Sequence, residues 1–169
     1  EHPATPVLVM RRATDGTVRP GVLFALDLEA YDYNPGARTM VRASELTIEE
    51  RLPPRVIIRE HSPLELPHIL VLIDDGGSRV IEPLAESPGR KLYQTELMKG
   101  GGTVEGYALG EEQIEGGLLP ALESLADDAS SFLYAAGDGN HSLAAAKQVW
   151  ESRKRTGAPM DHPSRWALV

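Results

Sequence analysis

Phe132-Leu133-Tyr134-Ala135-Ala136-Gly137-Asp138-Gly139-Asn140-His141-Ser142 decides the architecture, because three local preferences succeed one another within it. Ser131 to Ala136 is apolar and rich in strand formers, so a buried strand is expected there. Gly137-Asp138-Gly139 follows as a turn. From Asn140 the composition becomes alanine-rich, and Leu143, Ala146, Val149 and Trp150 recur at helical spacing, which predicts a helix over 140–155. Lys154 and Arg155 then stand at the helix end, where the dipole favours cations.

A strand that runs through glycines into a helix has a chemical use. Backbone N–H groups at a helix start lack internal partners and carry partial positive charge. Gly137 and Gly139 permit positive φ and close approach of a ligand, while Asn140, His141 and Ser142 add polar side chains at the rim. This combination suits an anion, a phosphate above all. The same residue types also serve as plain caps and turn formers, and a purely structural joint is the alternative.

Outward from this joint, short strands alternate with turns. Val7-Leu8-Val9-Met10 and Gly21 to Leu26 read as strands flanking an Asp15-Gly16 hairpin turn. Leu28 to Tyr33 reads as a short helix or turn ended by Asn34-Pro35-Gly36, and Thr39 to Arg42 as a strand. Ser44 to Glu50 is expected to be helical, with its acidic residues in the first turn and Pro53-Pro54 as its stop. Pro67 to Ile73 is a continuous apolar run, expected as a fully buried strand. Asp74-Asp75-Gly76-Gly77 then turns the chain into a strand at Arg79 to Glu82. Lys91 to Leu97 and Thr103 to Leu109 form two more strands across Gly100-Gly101-Gly102. Ile114, Leu118, Leu122 and Leu125 keep helical spacing, with a kink expected at Gly116, Gly117 and Pro120. The sum is an α+β (mixed α/β) domain.

Composition narrows the function classes. The chain has 169 residues, 41% hydrophobic and 25% charged, which is ordinary for one globular domain. Seventeen Lys+Arg against 25 Asp+Glu give a net charge of −8, which argues against a nucleic-acid binder. With no cysteine there are no disulfides, thiolate metal sites or cysteine nucleophiles. The longest aliphatic run, Ile69 to Ile73, is too short to span a bilayer, so a soluble cytoplasmic protein without a membrane partner is expected. The chain opens on Glu1 and stops within the strand-like Trp166-Ala167-Leu168-Val169, which reads as one domain excised from a longer protein.

Gly137-Asp138-Gly139-Asn140-His141-Ser142-Leu143-Ala144 resembles the Asp-Gly-His-His-Arg strand-to-helix motif of an uncharacterised bacterial family. That family is similar to the ParB/sulfiredoxin superfamily, which includes free serine kinases. Arg42-Ala43-Ser44-Glu45-Leu46-Thr47 resembles the family's Arg-His-Glu-x-Thr segment, and Val22 to Tyr31 the strand and Asp-Tyr segment before it. The resemblance implies a ParB/sulfiredoxin-like core and nucleotide-dependent phosphotransfer to a small hydroxylated metabolite such as serine, with ATP or ADP and Mg²⁺. It places Gly137, Asp138, Gly139, Asn140, His141 and Ser142 on the phosphate side, with Glu45 and His141 as catalytic residues. In two places the sequence departs from the motif. Ser142 stands where the family has Arg, which removes a bidentate phosphate clamp, and Asn140 replaces the first His. Arg42, Arg51 and Arg55 are the candidates to supply the missing guanidinium. A non-catalytic nucleotide or metabolite sensor and a protein-interaction module are the alternative functions.

Other residues carry weaker signals. Without the resemblance, Glu45 is an acidic residue at a helix start. Asp74-Asp75 reads as a turn more simply than as a metal pair. Lys99 to Thr103 lacks the phosphate-loop order and precedes a strand, although Glu105 and Tyr107 follow it. His61 and His68 have no third ligand at metal-like spacing, so no metal site is expected. His2 and His162 are expected at the surface, and Glu111-Glu112 at a helix start.

Overall fold

A computed structural model describes residues 4–128 and 133–169. His2, Ser131 and Phe132 lie outside the described residues. In chain order the strands are β1 (Val7–Arg12), β2 (Val18–Leu23), β3 (Ala25–Asp27), β4 (Tyr31–Asp32), β5 (Val41–Ala43), β6 (Leu70–Ile73), β7 (Arg90–Glu96), β8 (Thr103–Ala108), β9 (Tyr134–Asp138) and β10 (Trp166–Leu168). The helices are α1 (Leu52–His61), α2 (Glu82–Glu86), α3 (Glu111–Gln113), α4 (Leu119–Asp128) and α5 (Asn140–Arg155). The fold is mixed α+β. No helix among the described residues is long and apolar enough to cross a membrane.

The chain divides into two compact units, Glu1–Phe24 with Asp75–Asp128, and Ala25–Asp74 with Ala129–Val169. The first unit holds an antiparallel sheet in the order β2-β1-β8-β7. Asp15 and Gly16 close the β1–β2 hairpin: Gly16 takes φ +87°, and Asp15 Oδ1 accepts from the Thr17 amide at 2.8 Å. The β7–β8 connection needs positive φ at Lys99, Gly100 and Gly102. Gly102 leaves no room for a side chain, since a Cβ there would lie 2.0 Å from the Arg12 carbonyl oxygen. The kink expected near Gly116 is a π-turn over Ile114–Leu118, placed between α3 and α4.

The second unit carries the paired strands β3 and β10, and a mixed sheet ordered β4-β5-β9-β6. Within that sheet β4, β5 and β9 run parallel, and β6 runs antiparallel to β9. The predicted helix over 140–155 is α5, and its stripe of Leu143, Ala146, Val149 and Trp150 is buried. Leu143, Ala146 and Trp150 join Leu28, Tyr31, Val41 and Ala136 in one core. Polar groups pin the helix to this core. Trp150 Nε1 donates to Glu29 Oε1 at 2.5 Å, Lys154 donates to the same oxygen at 2.7 Å, and Lys147 donates to the Leu28 carbonyl. These donors, Lys154 foremost, hold the Glu29 carboxyl below its usual range. Arg165 grips Asp27 through both carboxylate oxygens and does the same to that group.

Three expectations fail, each for a definable reason. No helix spans Ser44 to Glu50; a bend and an extended segment lead into a 3-10 turn at Glu49–Arg51. Pro53 and Pro54 instead sit in the first turn of α1, where a missing N–H sacrifices no hydrogen bond, so they open a helix rather than stop one. β6 is an edge strand, not a buried one: Val71 packs on the core, whereas Leu70 and Leu72 are 55% and 51% exposed. The strand expected at Arg79 to Glu82 is absent, because Asp75 Oδ2 accepts from the Arg79 and Val80 amides and folds the chain towards α2.

Candidate functional site

β5 and β9 are adjacent and parallel, in the register Val41↔Tyr134, Arg42↔Ala135 and Ala43↔Ala136. Their carboxyl ends therefore lie side by side, the usual place for a site in such sheets. The chain leaves β5 into the Ser44–Ile48 segment and leaves β9 through Gly139 into α5. The two segments that the resemblance assigns to one site are thus neighbours.

Hydrogen bonds bind them together. Ser44 Oγ donates to the Ala136 carbonyl at 2.5 Å, and the Ser44 amide donates to Asn140 Oδ1 at 3.2 Å. Asn140 Nδ2 returns a bond to Ser44 Oγ at 3.3 Å. The Ile48 amide donates to His141 Nε2 at 3.1 Å. Both ends of the Asn140 amide are spent on Ser44, and the residue is only 3% exposed. Its side chain is therefore turned towards Ser44, because a buried amide must find partners inside the protein. His141 likewise uses Nε2 to hold the segment that carries Glu45.

The two glycines have different tasks. Gly139 adopts φ +78°, left-handed as expected, and a Cβ there would meet Ile69 Cα and Cγ1 at 3.1 Å. Gly137 is not in the left-handed region. It lies where the β6–β9 register shifts, and its bare face is covered by Leu72, whose Cγ and Cδ1 would stand 2.8 Å from a Cβ. Its lack of a side chain serves packing rather than ligand approach. Replacing Gly139 with Ala is expected to lower stability by about 1–2 kcal/mol from the backbone strain alone. Urea unfolding followed by circular dichroism should show a lower midpoint at unchanged slope; an unchanged midpoint would refute the strain.

No side chain caps the start of α5. Asp138 Oδ1 takes the Gly139 amide at 2.7 Å, one residue ahead of the helix proper. From the first turn of α5 a groove of about 700 Å³ runs between α1 and α5, and Ser142, Ala145, Val149 and Arg153 form one side of it. Arg55, Ile58 and Arg59 of α1 form the other, and the 62–68 segment and Trp166 also line it. Arg59 is neutralised within the groove by a two-pronged pair with Glu65, at 2.5 and 2.9 Å. Arg55 donates to the Arg51 carbonyl at 2.7 Å, and neither Arg55 nor Arg153 has a carboxylate partner among the described residues.

Of the predicted site residues, Ser142 lines this groove. Of the three arginines considered as replacements for the missing motif Arg, Arg55 does so. Arg42 is engaged by the Thr39 carbonyl. Glu45 is exposed, on a bend rather than at a helix start. Sequence reasoning missed Arg153, because a cation in the last turn of a helix already has a sufficient explanation in the dipole. It also missed Arg59 and Glu65, whose pairing depends on how the Ser62–His68 segment folds back over α1. Among the described residues no three His, Asp or Glu side chains gather as a metal site.

The profile of a family described as Protein of unknown function (DUF1015) matches residues 2–169. No curated protein and no solved structure matches the chain.

Proposed function

The chain belongs to the DUF1015 family, and from the geometry at the start of α5 we propose that it binds the phosphates of a nucleotide there and transfers a phosphoryl group to a small hydroxylated metabolite, a serine-like amino acid being the example. One observation carries this reading: the sixteen-residue helix α5 has no side-chain cap, and its first turn opens on a groove that Arg55 also lines. Helix-start amides and a guanidinium without a carboxylate partner, that of Arg55, favour an anionic ligand over water.

In the proposed step the acceptor hydroxyl oxygen attacks the terminal phosphorus. An O–P bond forms, the bond from phosphorus to the nucleoside diphosphate oxygen breaks, and the hydroxyl proton passes to a carboxylate. Glu45 is the candidate, held near the joint through the Ser44–Asn140 and Ile48–His141 bonds. Positioning and charge neutralisation supply most of the rate in such chemistry. With no metal cluster among the described residues, Mg²⁺ would enter as the counter-ion of the nucleotide. Binding without turnover is the second reading, favoured by the exposure of Glu45 and by its absence from the groove lining.

Thermal unfolding with ATP, ADP, CTP or inorganic phosphate, each with and without Mg²⁺, tests the proposal. A nucleotide at a hundred times its Kd should stabilise the protein by about 2.7 kcal/mol. Arg55→Ala should weaken binding by tenfold or more, the worth of about 1.5 kcal/mol from a charge-assisted hydrogen bond. Glu45→Gln should abolish product formation and leave binding intact. An unchanged melting temperature across the whole panel would overturn both readings, and stabilisation without phosphorylated product would leave the second.

A further inference from the structure

β6 is the edge of its sheet, and its own residues do little to defend that edge. Edge strands are normally blunted by an inward charge, a proline or a covering segment, because their unpaired backbone groups recruit other strands. Leu70-Val71-Leu72-Ile73 carries neither a charge nor a proline. The Asp74 amide donates to the Leu133 carbonyl, and Leu72 pairs with Ala135 in the same register. By the alternation of an antiparallel ladder, Leu72 directs its N–H and C=O towards β9, and Val71 and Ile73 direct theirs outward. Among the described residues nothing pairs with those outward groups. Leu70 and Leu72, both about half exposed, share the face opposite the core.

We propose that β6 pairs antiparallel with β6 of a second copy of this chain, which joins two four-stranded sheets into one of eight strands. The flanking residues select a second copy over an unrelated peptide. With Val71 on the two-fold axis, Leu70 of one copy faces Leu72 of the other. His68 then faces Asp74, both of them exposed. The strand is therefore self-complementary in shape and polarity, apolar at the centre with an imidazole opposite a carboxylate at each end. Such a two-fold contact uses the same patch twice and closes on itself, so it ends at a dimer. The outward N–H and C=O of Val71 would form the central hydrogen-bonded pair, and Leu70 and Leu72 the closer pair beside it.

The absence of cysteine makes the test clean. The parent protein should elute with twice the chain mass in light-scattering chromatography, and Leu70→Lys with Leu72→Lys should halve that mass without changing the circular dichroism spectrum. Both side chains are exposed, so the charges are placed outside the core. Separately, Leu70→Cys with Leu72→Cys should give a covalent dimer on mild oxidation, because facing Cα atoms in such a pair fall within disulfide reach. Met98→Cys, 85% exposed on the β7–β8 connection, should give no covalent dimer under the same treatment. A parent that is monomeric at all concentrations, a dimer that survives both lysines, or equal crosslinking of the Met98 variant would each overturn the proposal.

Discussion

Trp150→Ala is expected to lower the unfolding free energy by about 3–5 kcal/mol, the range for removing a buried indole. Trp150 is 0% exposed and lies in a core that takes residues from β3, β4, β5, β9, β10 and α5. Truncation would open a cavity where all these elements meet, and the surrounding Leu28, Tyr31 and Leu143 are themselves buried and can close it only partly. A second loss accompanies the first, since the indole N–H donates to Glu29 Oε1, which would then depend on Lys154 alone. Trp150→Phe separates the two, keeping most of the packing and removing the donor, at an expected ~1–2 kcal/mol. Against a typical total of about 5–15 kcal/mol, the alanine variant should be close to unfolding at physiological temperature. Urea titration followed by far-ultraviolet circular dichroism is the suitable measurement, because the substitution also removes one of only two tryptophans. Equal losses in the Ala and Phe variants would show that the hydrogen bond, not the cavity, dominates.

Gly102→Ala should be the most damaging single methyl group in the β-sheet unit, at roughly 3 kcal/mol. Two penalties coincide there. The residue holds φ +88°, and its Cβ would lie 2.0 Å from the Arg12 carbonyl oxygen and 3.0 Å from Ala13 Cα. Both obstacles are backbone, and Arg12↔Thr103 is the pair that opens the β1–β8 ladder, so nothing nearby can swing away. Gly100 provides the control. It also has positive φ, at +68°, but faces open space, so Gly100→Ala should show the conformational penalty alone, about 1 kcal/mol. A Gly102 variant no less stable than the Gly100 variant would show that the β7–β8 connection shifts freely to admit a side chain.

The sequence made some of this architecture legible and hid other parts. α5 was readable to both ends because its apolar stripe, alanine content and terminal cations all point to one answer. The β1–β2 hairpin and the β7–β8 pair were readable because glycine and aspartate mark tight turns through conformations that other residues avoid. Pro53 and Pro54 misled because proline both opens and stops helices, and which of these applies depends on where the helix begins. The uniform apolar run of β6 suggested burial on both faces, yet which neighbours a strand acquires is decided by residues far away in sequence. At the candidate site, the spacing of 137–142 located the joint correctly. It was silent on side-chain direction: Asn140 turned inward because Ser44, 96 residues earlier, offers its amide and hydroxyl. Arg153 and Arg55 likewise come together in one groove through the packing of α1 on α5, which no local pattern encodes.

The division of the chain into interleaved units also bears on how the protein is made. A ribosome delivers the N-terminus first, and Val7–Leu23 must wait for Thr103–Ala108 before β1 gains its second neighbour. Ala25–Asp74 emerges earlier than most of that partner sheet but lacks β9, α5 and β10, which are encoded after it. β3 meets β10 only after roughly 140 intervening residues have left the tunnel, for example Asp27 with Trp166. The unit begun second is therefore completed last, and its half-built, leucine-rich surface has to be shielded throughout that interval.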